Sequence, residues 1–414
     1  MSSGSPFFVE RTSTFQIINK VGKGLGAIGI DPFKLNADKI FRKVKKQTGV
    51  DYYDDKMLEG LNKLVWSVNH EATPNTFGKI AMKKLLERTL KGRLEVEQHL
   101  SAHPDILNKP INSPVFIIGM PRTGTTILHA LLHEDPSHRS PLSWECLLPF
   151  PVPTPDTFTD NIQLNTIRKE FDQLFKLVPD FLTKHYLAAD SPQECLGINA
   201  LDFNSFQFLA QMNMPSYLEW KNHEADELST MQFHKRFLQY LQSGGVMSER
   251  WLLKTPMHLS RLKVLFDVYP DARIIMTHRH PSKVVPSAAS LVSSVRSLYS
   301  DHEDPFKTGK EQLDIWSMYF DRFLSDRQRI NKEDQFIDLK FEDFVKDQLG
   351  TVRKIYERFG WTLSAKAEEN MQAFLSNNPK DKHGKHNYSL EQFGLTESDI
   401  DSKYANYIQF LSTL

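Results

Sequence analysis

The alternation of apolar and polar positions changes character near residue 111. Upstream, in FGKIAMKKLLERTLKGRLEVEQHL, Met82, Leu85, Leu86, Leu90 and Leu94 recur at helical spacing with lysine, arginine and glutamate between them. That spacing predicts an amphipathic helix resting on a larger core. The Gly-rich stretch INKVGKGLGAIGIDPF reads as a flexible lead-in, with contact to a membrane or a substrate as the other reading. Downstream, short apolar runs alternate with longer helical patterns: PVFIIG, RWLLK (250–254), ARIIMTH (272–278) and QFIDLK (335–340) each precede one. This order predicts βαβ units and a three-layer α/β fold around a central, mostly parallel sheet. Residues 1–110 read as an N-terminal helical extension and 111–414 as the main domain. In MQFHKRFLQYLQSGG, Gly244 or Gly245 is placed to end a helix.

Composition narrows the class. With 414 residues and 40% hydrophobic content, the chain can bury a substantial core. Lys plus Arg and Asp plus Glu both number 51, so no overall field draws the protein to nucleic acid. Cys146 and Cys195 are too few for a disulfide framework and fit a reducing compartment. The N-terminus lacks the charged segment and apolar core of a secretory signal, and no apolar run approaches the roughly 20 residues of a membrane span. A soluble, cytoplasmic protein is expected.

The candidate chemistry begins at FIIGMPRTGTTIL. Gly119 and Gly124 have the separation of a Walker loop, but Thr125 stands where the lysine belongs. A glycine loop that opens a helix still makes an anion nest. Thr125 and Thr126 add hydroxyl donors, and Arg122 adds a permanently charged planar fork. Without a lysine for the γ-phosphate, such a P-loop-type nest suits a 5′ group shorter than a triphosphate.

These residues resemble the sulfotransferases that use 3′-phosphoadenosine 5′-phosphosulfate (PAPS), whose 5′-phosphosulfate loop has the form P-[KR]-[ST]-G-T-T; Pro121, Arg122, Thr123, Gly124, Thr125 and Thr126 fit it position by position. The family also carries a strand-end arginine with a serine eight residues later that together bind the 3′-phosphate, and Arg279 and Ser287 have that spacing. A third match is WLLKTPMH. Cytosolic sulfotransferases have Lys-Thr-His there, the histidine being the catalytic base, whereas the tyrosylprotein branch has Lys-Thr-Pro, as here in Lys254-Thr255-Pro256. The resemblance spans roughly residues 112 to 395 and implies a PAPS co-substrate, a PAP product and no metal. Phe341 in FEDF replaces the family's tyrosine and is taken as structural. Late in the chain, KDKHGKHNYSLEQFG places Lys385 among other basic residues where the family closes a loop over the 3′-phosphate.

Pro256 cannot accept a proton, so the base must lie elsewhere. By resemblance to the tyrosylprotein branch, the glutamate after the loop helix is the first choice, Glu145, with Arg122 and Lys254 as the cations that stabilise the leaving phosphate. Its apolar neighbours Trp144 and Leu147 would favour proton uptake; the structural alternative is an ion pair with a nearby arginine. His185, His258 and Glu194 compete for the role. His129 and His133, one turn apart, read as ordinary helix residues without a metal motif.

The acceptor is less legible. The aromatic stretch FNSFQFLAQMNMPSYLEW suits an apolar alcohol, such as a sterol or other lipid-like small molecule, although plain core explains it equally. Two rival readings remain: a P-loop kinase of a small metabolite, and a catalytically inactive PAP-sensing protein, the latter suggested by Pro256.

Overall fold

A computed structural model describes residues 8–28, 31–179, 187–378 and 388–414. Five strands form one sheet: β1 (Val115–Gly119), β2 (His138–Arg139), β3 (Arg250–Lys254), β4 (Arg273–His278) and β5 (Phe336–Lys340), in the order β2-β3-β1-β4-β5. Every pairing is parallel. β1, β3, β4 and β5 arise from the four apolar runs; β2 has only two residues and no pattern to betray it.

The reason both faces must be covered is visible in β1. All five of its residues are buried. Val115 and Ile117 pack with Leu128, Leu131 and Leu132 of helix α5 (Thr125–His133). Phe116 and Ile118 point into the opposite layer, with Leu262 and Leu265. A strand apolar on both faces needs helices on both, which gives the three layers expected of a parallel sheet.

The second layer is continuous with the N-terminal helices α1 (Ser13–Ala27), α2 (Ala37–Thr48), α3 (Asp55–His70) and α4 (Thr76–Ala102). Leu64, Leu86, Leu90 and Leu94 share one core with Phe116 and Met276. The long amphipathic pattern thus becomes α4. The Gly-rich lead-in is corrected: Ser13–Ala27 is a helix despite Gly22 and Gly24, held by Phe15 and Asn19, which are buried beneath it. Gly244 ends the helix Glu227–Ser243, as its position suggested.

Strand order has one consequence for function. β1 lies between β3 and β4, so the segments leaving their carboxyl ends emerge side by side, where parallel sheets bind ligands.

Candidate functional site

The loop between β1 and α5 is shaped by close approach and by left-handed backbone. A Cβ on Gly119 would stand 2.3 Å from Thr277 Oγ1, so only glycine lets β1 end against β4. Arg122 and Gly124 have φ of 71° and 86°. Glycine adopts that region freely; arginine does so only under constraint from its surroundings, a condition found often at functional sites. Thr123 supplies part of it. Its hydroxyl donates to the Met120 carbonyl at 2.7 Å and meets Thr277 Oγ1 at 2.6 Å, so this side chain braces the loop from inside. Thr125 is buried at the start of α5, while Thr126 is exposed. The first N–H groups of α5 have no carbonyl partner within the helix and face the loop's concavity, with the helix dipole behind them.

At the end of β4 the distant pair converges on this loop. Arg122 Nε donates to Ser287 Oγ at 3.2 Å, and Arg279 Nη1 donates to the Arg122 carbonyl at 3.2 Å. Arg279 also lies over the Phe341 ring, 4.1 Å from its centroid. Phe341 thus has contact with the site beyond the structural part first assigned to it. Among the described residues neither Arg122 nor Arg279 is ion-paired with a carboxylate. Burial, helped by the like charge of Arg122 and opposed by Glu342, holds the Arg279 pKa below its ordinary value. Two cations beside a hydroxyl, without a counter-ion, form an anion site.

Arg279 is fixed from behind. The preceding residue, His278, meets Tyr407 Oη at 3.0 Å and Asp338 Oδ1 at 2.8 Å. Arg327 donates to both oxygens of Asp338 at 2.8 Å, and the Tyr407 hydroxyl also accepts from the backbone of Arg279. With Arg327 as its partner, Asp338 is held down to about 2 in spite of burial. Burial holds the His278 pKa below its ordinary value, opposed by Asp338.

The third strand end gives a second cationic centre. Lys254 Nζ reaches Thr126 Oγ1 at 3.3 Å and Glu194 Oε1 at 2.5 Å. The other oxygen of that carboxylate, Glu194 Oε2, is buried without a hydrogen-bond partner among the described residues. Arg122, the other candidate cation, contacts Ser287 and Arg279.

Glu145, the first choice for the base, has partners of its own. Glu145 is fully buried on α6 (Ser143–Leu147), where Arg139 Nη2 donates at 2.7 Å to Oε1 and Nη1 at 3.3 Å to Oε2. The Leu142 N–H donates to Oε2 at 2.9 Å. A carboxylate so engaged is half of a structural ion pair, the alternative the sequence left open. His258 fares no better: it is wholly buried, edge-on to Phe116 at 5.0 Å, and desolvation holds its pKa well below the ordinary value. His185, Lys385 and the basic residues around Lys385 lie outside the described residues.

Comparison with known proteins decides the family. A model described as "Sulfotransferase family" matches residues 114–365, which include all three strand-end segments. The chain belongs to the sulfotransferase family. Sulfotransferase STF9 from Mycobacterium avium is 30% identical, with a TM-score of 0.84 over 92% of this chain and 97% of that one. STF1 from Mycobacterium tuberculosis H37Rv is 29% identical, with a TM-score of 0.80 over 91% of this chain and all of that one. A curated relative from Mycobacterium tuberculosis, named omega-hydroxy-beta-dihydromenaquinone-9 sulfotransferase Stf3, is 29% identical over 254 residues. That match spans 60% of this chain and 62% of Stf3.

In this sulfotransferase the described residues include no cluster of His, Cys, Asp and Glu able to hold a metal ion. No helix among them is long and apolar enough to cross a membrane. Cys146 and Cys195 are free and buried. Sequence reasoning named Glu194 without placing it against Lys254. Its partner is 60 residues away, so no local spacing joins the two.

Proposed function

We propose that this sulfotransferase moves the sulfuryl group of PAPS to a hydroxyl of a small, lipid-like acceptor and releases PAP. The supporting observation is the pair Arg122 and Arg279 near Ser287, two cations that form no salt bridge among the described residues. A nucleoside 3′-phosphate supplies the missing charge, and an ATP enzyme has no use for that site. In this reading the loop N–H groups, Thr125 and Thr126 hold the 5′-phosphosulfate on α5.

Transfer is in line. The S–O bond to the PAPS phosphate breaks as a bond forms between sulfur and the acceptor oxygen, and the acceptor's proton leaves to a base. Lys254, beside Thr126, neutralises the charge that grows on the leaving phosphate. Glu194 is the base in this scheme: it adjoins Lys254 and has one unpartnered oxygen, whereas both oxygens of Glu145 are taken. The acceptor class follows the apolar stretch at residues 203–220 and the omega-hydroxylated menaquinone in the name of Stf3.

The test is transfer of labelled sulfate from PAPS to a panel of hydroxylated isoprenoids, sterols, phenols and sugars, with wild type and Glu194→Gln. Sulfation of an isoprenoid or sterol, abolished by the variant, supports the reading. Sulfation of sugars alone would refute the acceptor class, and PAP binding with no transfer on any arm would favour a nucleotide sensor, the reading that Pro256 keeps open.

A further inference from the structure

The helix α1 leaves an apolar stripe exposed on the side away from the protein. At 3.6 residues per turn, Ile17, Val21, Gly24 and Ile28 form one stripe. That stripe faces outward: Ile17, Val21 and Ile28 are 59%, 60% and 70% exposed. The side turned to the protein carries Phe15, Asn19 and Gly22. Asn19 is buried there and accepts the Phe77 N–H at 2.9 Å, and a Cβ on Gly22 would lie 2.0 Å from Thr76 Oγ1. Exposed Lys20 and Lys23 flank the stripe on one side, and the helix contains no acidic residue. Lys23 reaches Asp301 at 2.9 Å yet keeps a side chain that is 68% exposed.

The geometry points to α1 as a contact helix for an anionic lipid surface, laid flat with Ile17, Val21 and Ile28 in the acyl boundary and Lys20 and Lys23 among the headgroups. Aliphatic residues beside lysines, with no carboxylate in the helix, are complementary to anionic lipid. They suit a second copy poorly. The three side chains expose roughly 300 Å² against about 800 Å² per partner in a stable interface, and a two-fold contact would set lysine against lysine.

The placement serves the site. Val9 N–H donates to Ser297 Oγ at 3.2 Å, and Arg11 Nη2 donates to the Ser300 carbonyl at 3.0 Å, so the lead into α1 is tied to the end of the helix Pro281–Tyr299. Ser287 lies on that same helix, about 15 Å away at 1.5 Å per residue. A protein seated on the bilayer through α1 holds its catalytic face close to the phase in which a lipid-like acceptor is dissolved. The inference rests on the lipid-acceptor reading for its purpose; its evidence is the helix itself.

Sedimentation with vesicles tests it. Wild type is expected to pellet with phosphatidylcholine vesicles containing phosphatidylglycerol and to bind phosphatidylcholine alone more weakly, with added salt reducing the difference. The double variant Ile17→Asp, Val21→Asp is expected to lose on the order of tenfold or more in partitioning. Lys20→Glu should weaken binding only to the anionic vesicles. A PAP-induced thermal shift equal to that of wild type shows that each variant is folded and has its donor site, so failure of the lipid contact is separable from failure of the proposed activity. A wild type that stays in the supernatant, or a double variant that pellets like wild type, overturns the proposal. So does light scattering that reports a dimer abolished by the double variant.

Discussion

Two arginine-bearing regions on the same sheet differ in burial and in partners. Arg139, on the edge strand β2, is closed off: Glu145 neutralises it, the Val246 carbonyl accepts from its Nε at 2.9 Å, and Trp251 lies 4.6 Å beneath it. Arg122 and Arg279, at the ends of β1 and β4, have hydroxyl, carbonyl and aromatic partners but no carboxylate in a salt bridge among the described residues. Burying a charge is costly unless it is paired, so the fold neutralises Arg139 internally. The uncancelled charge at Arg122 and Arg279 remains for a ligand. Lys254 lies between these cases, paired to a carboxylate that itself has a free oxygen.

Substitutions should separate the closed region from the open one. Glu145→Ala strands a buried guanidinium and is expected to destabilise the protein by about 3–5 kcal/mol in chemical denaturation. Glu194→Gln takes the carboxylate from the buried Lys254 ammonium and should cost some stability, while PAP affinity stays near wild type and kcat falls by on the order of a thousandfold. A Glu145→Gln variant that folds yet has lost transfer, alongside an active Glu194→Gln, would invert the assignment. Arg279→Ala is expected to weaken PAP by on the order of a hundredfold in calorimetry, with a small effect on melting temperature.

Acid should act on the interior before it acts on the anion site. Burial lowers His133 from 6.5 to about 4 and His234 from 6.5 to about 3. Between pH 6.5 and about 4 the unfolded chain takes up protons that the folded chain refuses, so stability falls as pH drops through that window. From pH 7 to 5.5 the two histidines should cost ~2 kcal/mol together, measured as a falling denaturation midpoint. The smallest effect is expected for Tyr407→Phe. Loss of its hydroxyl from His278 and Arg279 should weaken PAP several-fold, about 1 kcal/mol, with kcat unchanged. A change in stability alone would reduce Tyr407 to packing.

Much of the donor side could be read in the chain. Val115–Gly119 and Arg273–His278 are near-continuous apolar runs, as strands covered on both faces must be, and the eight-residue step from Arg279 to Ser287 is local. The features that escaped are those made by contacts distant in sequence. Glu194 gains its meaning from Lys254, and Tyr407 supports Arg279 from the far end of the chain. Arg139, the partner of Glu145, lies on a two-residue strand that no pattern betrays, so their ion pair was open in the sequence only as an alternative. The helix α1 was hidden by its glycines, since tertiary contacts at Phe15 and Asn19 outweigh their low propensity.

The central claim is that the open arginines hold a nucleoside 3′-phosphate, and calorimetric titration of the wild-type protein with PAP and, separately, with ATP tests it most directly. PAP should bind at least tenfold more tightly than ATP, about 1.4 kcal/mol or more, because only PAP carries the 3′ group that Arg122, Arg279 and Ser287 are placed to meet. Equal affinity for the two nucleotides, or a preference for ATP, would contradict the account.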